Sequence, residues 1–578
     1  MLTPWGETLD QTAVLQEYPR PQLVRESYYN LNGRWDYAIT ASDEMPGAWD
    51  GEILVPFSPE APLSGVGRRL LPQQTLWYRR ALPFAKPEKG RMLLHFGAVD
   101  QTAKVYVNGL LACAHTGGYT AFEADITDLL RKDGNVLTVC VHDDTDRVPL
   151  ARGKQKTKRG GIWYTPQSGI WQTVWAETVP ENFVQSLLFT PELPEGRIRW
   201  KIAARAPKGT KVRVTYREAP VFEAESDEDG CGSAAIDPEL LHLWSPETPD
   251  LYDVTVTLGD DTVTSYFAMR TVAAGKDEKG EPCLLLNGRP YFHHGVLDQG
   301  YWPDGLYTAP SDEALVYDIQ LMKQMGFNML RKHIKIEPMR WYYHCDRLGM
   351  LVWQDMPSGG GMYNLFTISA PLITGIHLKD SHYGLFARRD PAGREQYYTE
   401  LAEMLRQLQN CPCIVLWVPF NEGWGQFDAK KITRLIRNFD PTRLIDHASG
   451  WHDQGVSDVK SLHVYFKAYR FRPDKKGRAV VLSEYGGYNL PVEGHTWNTK
   501  NFGYKGYKTP GALAGAIEAL FRTQIIPARK AGLAADVYTQ LSDVEDEVNG
   551  FVTYDRRVVK VPAILMQTLA RALKGEER

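Results

Sequence analysis

The chain has 578 residues, with 66 lysine and arginine residues against 70 aspartate and glutamate residues. This near balance, without a long run of one sign, gives little support to a nucleic-acid or membrane partner, and it leaves a small molecule as the expected partner. At about 100–200 residues per domain, a chain of this length is expected to form about three domains.

The N-terminal segment and the cysteines indicate in which cellular compartment the protein is found. The stretch MLTPWGETLDQTAVLQ has neither a basic nor an apolar segment, and no run of about 18 apolar residues occurs in the chain. The seven cysteines are scattered, which is unlike a disulfide framework, and CPC at 411–413 has no companion Cys/His cluster that would complete a zinc site. We therefore expect a cytoplasmic protein with no cofactor and no metal.

Short strands separated by Gly, Pro and Asp fill the first part of the chain, for example GRWDYAI, RMLLHFGAVD and AKVYVNGLLA. Strands at this spacing, with no helical period between them, predict a jelly-roll β-sandwich at 1–180. The strand pattern continues in IRWKIAARA, KVRVTYREA and LYDVTVTLG. This second span suits a small immunoglobulin-like β-sandwich at 181–273.

From residue 274 onward, apolar strands alternate with helical patterns. Helices are predicted over 311–326, between a Ser311 N-cap and Gly326, and over 393–410. Eight strand candidates follow one another: YFHHGVL, NMLRKHI, MLVWQDM, CIVLWVPF, RLIDHAS, SLHVYF, AVVLSEY and DVYTQLS. This alternation predicts a (β/α)₈ TIM barrel at 274–578. A doubly wound sheet is the main competitor, but neither of its glycine-rich phosphate motifs follows the first strand.

Two glutamates lie where apolar strands end. Glu422 follows the fourth strand, in VLWVPFNEGWGQF, and Glu484 ends the seventh. Strand ends converge at one mouth of a barrel, so the two carboxylates can face each other there, as glycoside hydrolysis requires. We expect the acid of the pair to have a raised pKa and its hydrogen-bonded partner to stay ionised. For either glutamate alone, a structural hydrogen bond at the rim is the alternative.

These motifs resemble those of glycoside hydrolase family 2, which includes β-galactosidases, β-glucuronidases and β-mannosidases. NEGWG and SEYGG are similar to the acid/base and nucleophile motifs of the family. LHFGAVDQTAKVYVNG is similar to its jelly roll, LWSPETPDLY to its immunoglobulin-like domain and LLLNGRPYFHHGV to its entry into the barrel. The resemblance implies a retaining exo-β-glycosidase with Glu422 as acid/base, Glu484 as nucleophile and Asn421 as donor to the sugar 2-hydroxyl.

The resemblance also implies secondary site residues. Arg331 and His333 match a strand whose Arg and nearby His line the sugar subsite, although His333 sits closer to the Arg than is usual and a structural role is the alternative. Tyr465 matches a position near the nucleophile, with a core tyrosine as the alternative. Further substrate-binding candidates are Asp298, His294, Lys332, Trp451, His463 and Tyr485. For Asp298 the alternative is an ion pair, for Lys332 a salt-bridged face, and for Trp451 loop packing.

One departure bears on the substrate. Many β-glucuronidases carry Asn-x-Lys after the last barrel strand, but here Asn549 is followed by Gly and Phe, and the Asn-x-Lys at 498–500 belongs to another loop. Other basic residues near the mouth of the predicted barrel can bind the uronate carboxylate with a different geometry: Arg331, Lys332, Lys335, Lys500, Lys505 and Arg556. Three substrates stay open, with a galacto-configured sugar, a β-galacturonide or β-galactoside, preferred over a β-glucuronide.

Two other classes of function compete. One is a barrel that binds carbohydrate without cleaving it, and the weaker one is a metal-dependent barrel hydrolase, since the strand-end histidines form no recognisable ligand motif. Homo-oligomers are common among such relatives, and one sequence does not decide the oligomeric state. The long glycine-containing loop at 358–390 is expected to shape the aglycone side.

Overall fold

The computed structural model describes residues 1–206, 213–216 and 223–575. Within them, a jelly-roll β-sandwich, an immunoglobulin-like β-sandwich and a TIM barrel follow one another, which confirms the predicted fold class. The boundaries at residues 180 and 273 stay a prediction.

The jelly-roll region packs a six-stranded against a four-stranded antiparallel sheet. Alternation creates the core: in Thr102–Val107, Ala103, Val105 and Val107 are buried while the residues between them are not. A short helix, Pro4–Glu7, precedes the strands. In chain order the strands are Tyr29–Asn30, Gly33–Thr40, Gly51–Val55, Thr75–Ala81, Arg91–Phe96, Val99–Asp100, Thr102–Val107, Leu110–Thr116, Phe122–Asp125, Val136–His142, Gly169–Ile170 and Val174–Val179.

The immunoglobulin-like region packs a three-stranded against a four-stranded sheet around Trp200 and Phe267. Of the strand predicted at 211–219, Arg213–Tyr216 is described and the rest lies outside the described residues. The strands are Phe183–Glu192, Arg197–Arg205, Arg213–Tyr216, Glu223–Glu225, Cys231–Ala235, Tyr252–Leu258 and Asp261–Phe267. A small sheet of Val272–Lys276, Pro282–Leu286 and Arg289–Pro290 then leads into the barrel.

Eight parallel strands form a nearly closed barrel in the order β5-β4-β3-β2-β1-β8-β7-β6. They are β1 (His293–Asp298), β2 (Met329–Lys332), β3 (Leu351–Asp355), β4 (Ile414–Val418), β5 (Leu444–Ile445), β6 (Val459–Val464), β7 (Ala479–Gly486) and β8 (Ala535–Thr539). All eight lie within or overlap the predicted segments, which confirms those predictions. A further strand pair, Tyr488–Asn489 with Lys505–Gly506, lies beyond β7.

Helices cover the outside of the barrel. The helix predicted at 311–326 is confirmed at Asp312–Gln324, with the Ser311 hydroxyl accepting from the backbone N–H of Ala314 at 3.2 Å. The helix predicted at 393–410 begins two residues earlier, at Pro391, because Asp390 caps it. The other barrel helices are Met339–Leu348, Leu365–Thr374, Ala429–Phe439, Pro510–Leu520, Ile526–Lys530 and Ala563–Lys574, with a π-helical turn at Phe521–Ile525. Among the described helices, none is long and apolar enough to cross a membrane.

A buried ion cluster joins the first two regions. Arg25, which is 6% exposed, donates from Nη1 to Glu177 at 3.1 Å and from Nε to Asp261 at 2.8 Å. Its Nη2 also donates to the carbonyl of Val184 at 2.6 Å. Glu177 belongs to the jelly-roll region and Asp261 to the immunoglobulin-like region, so one guanidinium links the two sandwiches.

We expect Arg25→Met to lower the free energy of unfolding by about 3–5 kcal/mol, because it removes the cation paired with the buried Asp261 and leaves Glu177 with Arg20 alone of its two arginines. The matched control is Arg34→Met, which breaks an ion pair with Glu52 in which both side chains are 57% exposed and costs about 0–1 kcal/mol. Urea denaturation followed by fluorescence measures both. Equal losses in the two variants would contradict a structural role for the cluster.

Candidate active site

A narrow pocket opens at the carboxyl ends of the barrel strands. Five predicted site residues line it: Asn421, Glu422, His333, Tyr465 and Glu484. The jelly-roll region adds part of the wall through Gly153, Lys154, Ile162 and Trp163. The pocket is therefore built by two regions of the chain rather than by the barrel alone.

Glu422 lies in a tight turn that follows β4. Its φ of +50° is in the left-handed region, a strain of about 1–3 kcal/mol for a residue other than glycine. The turn is supported by the Glu422 N–H, which donates to the carbonyl of Ser449 at 2.9 Å. His463 Nδ1 lies 2.7 Å from Oε1 of Glu422, and Trp424 Nε1 donates to Oε2 at 3.0 Å. The turn and these two contacts fix the carboxylate at the pocket.

The protonation state of Glu422 differs from the sequence prediction. Burial raises the pKa of this carboxyl, but the hydrogen bonds from His463 and Trp424 and the charge of Lys154 outweigh burial and lower the pKa to about 2. The expectation of a raised pKa for the acid is thus wrong for the free pocket. Glu422 is ionised there because it accepts two hydrogen bonds, which the strand pattern did not reveal.

Glu484, near the end of β7, is 5% exposed. Its Oε1 accepts from Nη1 of Arg331 at 3.1 Å, and its Oε2 accepts from the Tyr465 hydroxyl at 2.5 Å. Burial and then the Glu484 charge raise the pKa of Tyr465 well above its usual value, so this hydroxyl keeps its proton and donates. The two donors hold the carboxylate in one orientation.

Arg331 lies beneath the pocket and is fully buried. Its Nε and Nη2 donate to both oxygens of Asp355 at 3.1 and 3.0 Å, and Nη2 also donates to Oδ1 of Asn421 at 2.9 Å. An arginine has no acceptor, so the amide oxygen of Asn421 must face it. The Nδ2 donor of Asn421 is consequently directed away from Arg331, and among the described residues no acceptor lies within hydrogen-bond distance of it.

The two glutamates are close. One oxygen of Glu422, one oxygen of Glu484 and a ring nitrogen of His463 all lie within 4.8 Å of one another. His463 Nδ1 is 3.4 Å from Oε2 of Glu484, so the imidazole lies between the carboxylates. In the described part of the chain, this is the cluster with the geometry to hold a metal ion, and it coincides with the carboxylate pair itself.

His333 lines the pocket, and its Nδ1 lies 2.9 Å from Oδ2 of Asp355. Burial lowers the pKa of His333, although the contact with Asp355 acts in the opposite direction. A neutral imidazole therefore donates from Nδ1 to Asp355, and the rest of the ring lines the pocket.

Several predicted residues lie outside the pocket lining. Lys332 Nζ donates to Asp298 at 2.6 Å and to Glu337 at 2.7 Å, so Lys332 and Asp298 are paired with each other in the interior. His294 Nδ1 lies 2.9 Å from Asp536, whose other oxygen accepts from the Tyr485 hydroxyl at 2.6 Å. These arrangements do not support substrate binding by the four predicted residues, since their polar groups are already paired with protein.

The ring of Trp451 lies 6.2 Å from that of His463, and neither residue belongs to the pocket lining. Trp451 and His463 were both predicted to bind the sugar. The structure gives His463 a different contact, the one with Glu422, and places Trp451 against His463.

The basic residues proposed for a carboxylate grip are also engaged elsewhere. Arg331 and Lys332 pair as described, Lys335 Nζ donates to Glu337 at 2.9 Å, and Arg556 pairs with Asp318 at 2.9 Å. Lys500 and Lys505 are exposed outside the pocket. None of these six cations lines the pocket, so the structure does not support the expected grip by this group.

The lining residues that were not predicted include Lys154, Trp163, Trp424, Tyr504 and Glu547. Trp424 is part of the NEGWG motif, so the motif could have identified it as a site residue. Glu547 is 2% exposed and accepts from the Tyr164 hydroxyl, and burial raises its pKa while the Lys154 charge lowers it. Lys154 and Trp163 belong to the first region, and no local pattern links them to the barrel.

Three family models match the chain in order. The sugar binding domain of glycosyl hydrolases family 2 matches residues 71–175, a second model described as glycosyl hydrolases family 2 matches 183–270, and the family 2 TIM barrel domain matches 279–559. The chain belongs to glycoside hydrolase family 2.

Known proteins resemble the chain over much of its length. A putative β-glucuronidase from Formosa agariphila is 28% identical over 445 residues, covering 74% of this chain and 38% of that relative. A β-galactosidase from Vibrio vulnificus is 26% identical over 386 residues, covering 63% and 34%. The chain thus spans less than two fifths of the length of either relative.

Among solved structures, the β-galacturonidase from Eisenbergiella tayi bound to galacturonate has a TM-score of 0.70 at 19% identity. The match covers 96% of this chain and 99% of that chain. At this identity the likeness shows a shared fold over the three regions.

We expect His463→Ala to raise the pKa of Glu422 by one unit or more, because burial remains after the hydrogen bond is lost. The measurement is a ¹³C NMR titration of glutamate side-chain carboxyls, with the Glu422 signal assigned by its absence in Glu422→Gln. In the wild type this signal stays constant from pH 7 to pH 4, and in His463→Ala it moves. An unchanged signal in the variant would contradict the role given to His463.

Proposed function

We propose that the protein is a retaining exo-β-glycosidase that removes a terminal β-linked sugar. The proposal rests on the separation of the two carboxylates, whose nearest oxygens lie within 4.8 Å. Retaining glycosidases have carboxyl groups about 5–5.5 Å apart, whereas inverting enzymes need about 6.5–9.5 Å to admit a water molecule. Family membership and the names of the relatives support the same activity.

In the first step, the Glu484 carboxylate attacks the anomeric carbon as the bond to the leaving oxygen breaks. Arg331 and Tyr465 hold Glu484 for this attack through their hydrogen bonds. Glu422 donates a proton to the leaving oxygen, and the aglycone departs as an alcohol. A covalent glycosyl-enzyme on Glu484 results.

Glu422 must gain a proton for this step, because it is ionised in the free pocket. A bound sugar displaces water from the pocket, and desolvation raises the pKa of a carboxyl. In the second step, the Glu422 carboxylate removes a proton from a water molecule that attacks the anomeric carbon. This breaks the bond to Glu484 and releases the sugar with its β configuration retained.

Asn421 has a positioning role in this proposal. Arg331 fixes its amide oxygen, and the Nδ2 donor is then available to the sugar 2-hydroxyl. Such a bond strengthens as charge develops on the ring in the transition state. The wall contributed by Lys154 and Trp163 closes one side of the pocket, which favours cleavage at a chain end.

The galacto configuration stays the preferred prediction for the sugar, with a β-glucuronide as the alternative. The relatives carry names that include glucuronidase, galactosidase and galacturonidase, so these names do not separate the three. A cytoplasmic location also stays a prediction.

We expect Glu484→Gln to lower kcat by about 10⁴-fold or more, because no nucleophile remains. Glu422→Gln should lose far less with an activated aryl leaving group, which departs without a proton, and added azide should restore turnover as a β-glycosyl azide. ¹H NMR of the wild-type reaction should show the β-anomer first. An α-anomer as first product would contradict retention, and wild-type activity that both variants keep would contradict the assignment of the carboxylates.

We expect Tyr465→Phe to lower kcat by about 10–100-fold with little change in KM, because it removes one fixed donor to Glu484. Tyr469→Phe is the matched control, since this buried hydroxyl has no hydrogen-bond partner in the described part of the chain and lies outside the pocket. Initial-rate kinetics on an aryl β-glycoside distinguish the two. A Tyr465→Phe enzyme with wild-type kcat would show that Arg331 alone positions the nucleophile.

A further inference from the structure

A loop of the jelly-roll region enters the pocket at Lys154. The N–H groups of Arg152 and Gly153 donate to the carbonyl of Ser358, at 2.9 and 3.0 Å. Gly153 has a φ of +59°, and a Cβ there would fall 2.8 Å from the Tyr307 hydroxyl oxygen. The loop therefore packs directly on the barrel, and the next residue along the chain is Lys154.

The backbone of Lys154 is held on both sides. Its carbonyl accepts from the N–H of Tyr164 at 3.0 Å. The adjacent Gln155 is buried, and its amide donates to Asp100 at 2.8 Å and accepts from the N–H of Gln167 at 2.7 Å. The half-buried side chain of Lys154 lines the pocket, with Nζ 5.7 Å from the centre of the Tyr164 ring.

Among the described residues, no carboxylate oxygen lies within 4.0 Å of Lys154 Nζ. The hydrogen bonds of the pocket carboxylates come from other groups: Arg331 and Tyr465 for Glu484, His463 and Trp424 for Glu422, and Tyr164 for Glu547. The Lys154 charge acts on Glu422 and Glu547 from a greater distance. Of the lysine and arginine residues in the described part of the chain, Lys154 is the one that lines the pocket.

We propose that Lys154 binds the carboxylate of an acidic sugar, so that the substrate carries a terminal β-linked hexuronic acid. This inference rests on the proposed glycosidase function and names its substrate class. A half-buried lysine that makes no direct contact with a protein carboxylate can gain one from the substrate, because a sugar carboxylate supplies the opposite charge at close range. Lysine acts as a point charge, so it recognises a carboxylate without the fixed two-point geometry of arginine.

The pocket also limits repulsion of an acidic sugar. The Glu484 charge is opposed by Arg331 at 3.1 Å. Glu547 is buried, and burial raises its pKa, which weakens its negative charge relative to an exposed glutamate. Lys154 can thus attract a substrate carboxylate although three acidic residues line the same pocket.

The test compares initial rates on four aryl β-glycosides: galacturonide, glucuronide, galactoside and glucoside. We expect the wild type to prefer one of the two uronides, and the pair distinguishes the galacto from the gluco configuration. Lys154→Met should lower kcat/KM for that uronide about 100-fold more, near 3 kcal/mol, than it lowers kcat/KM for the neutral glycosides. Lys158→Met is the matched control: it removes the same charge four residues away, on an exposed side chain outside the pocket lining, and should leave all four rates within about threefold.

A neutral glycoside as the best wild-type substrate would overturn the inference, and so would an equal loss on all four substrates in Lys154→Met. A uronide-specific loss in Lys158→Met instead would overturn the choice of lysine. Calorimetric binding of free galacturonate and glucuronate gives a readout without catalysis, and Lys154→Met should weaken it about tenfold or more. Lysine-dependent binding with no hydrolysis of any glycoside would refute the proposed function alone, while no such binding and no uronide preference would refute the inference.

Discussion

The fully buried guanidinium of Arg331 is the interaction on which the site geometry depends. It donates to Asp355 on β3, Asn421 after β4, and both the Ser483 carbonyl and the Glu484 carboxylate on β7. Removing such a cation from water costs several kcal/mol, so it is stable in the interior only with excellent geometry and opposing charge. The planar guanidinium of Arg331 contacts residues at the ends of three strands. The position of Glu484 and the orientation of Asn421 are therefore fixed by the same group.

Pairs of histidine and carboxylate surround this centre. His333 pairs with Asp355, His463 with Glu422 and His294 with Asp536. Many polar side chains in this layer are therefore already hydrogen-bonded inside the protein. Few polar side chains therefore remain available to hydrogen-bond a ligand, because most of their neighbours are already paired with other protein groups.

The sequence predicted the barrel because its eight strands are apolar runs of the right length, and it predicted Glu422 and Glu484 because strand ends converge at one mouth. It failed where a role depends on a distant partner. The basic cluster after β2 looked available to substrate, but Lys332 turns to Glu337 five residues later and to Asp298 on the neighbouring strand. The pKa of Glu422 depends on His463, 41 residues further on.

Lys154 was missed for a stronger reason. It lies in a different region of the chain from Glu422, and neither periodicity nor a local motif indicates which jelly-roll loop packs against the barrel. The close approach becomes visible only when the contacts of Gly153 with Tyr307 and of the loop backbone with Ser358 are known.

The attachment of that loop has an evolutionary consequence. Arg152 and Gly153 contact Ser358 through backbone atoms, so the loop keeps its place whatever side chain stands at position 154. The residues that hold the two glutamates in position, such as Arg331 and His463, belong to the barrel. Mutations in this one loop can therefore change which molecules bind in the pocket while Glu422 and Glu484 keep their positions. Related proteins can acquire new substrates through changes in the loop, without changes in the barrel residues that carry the reaction.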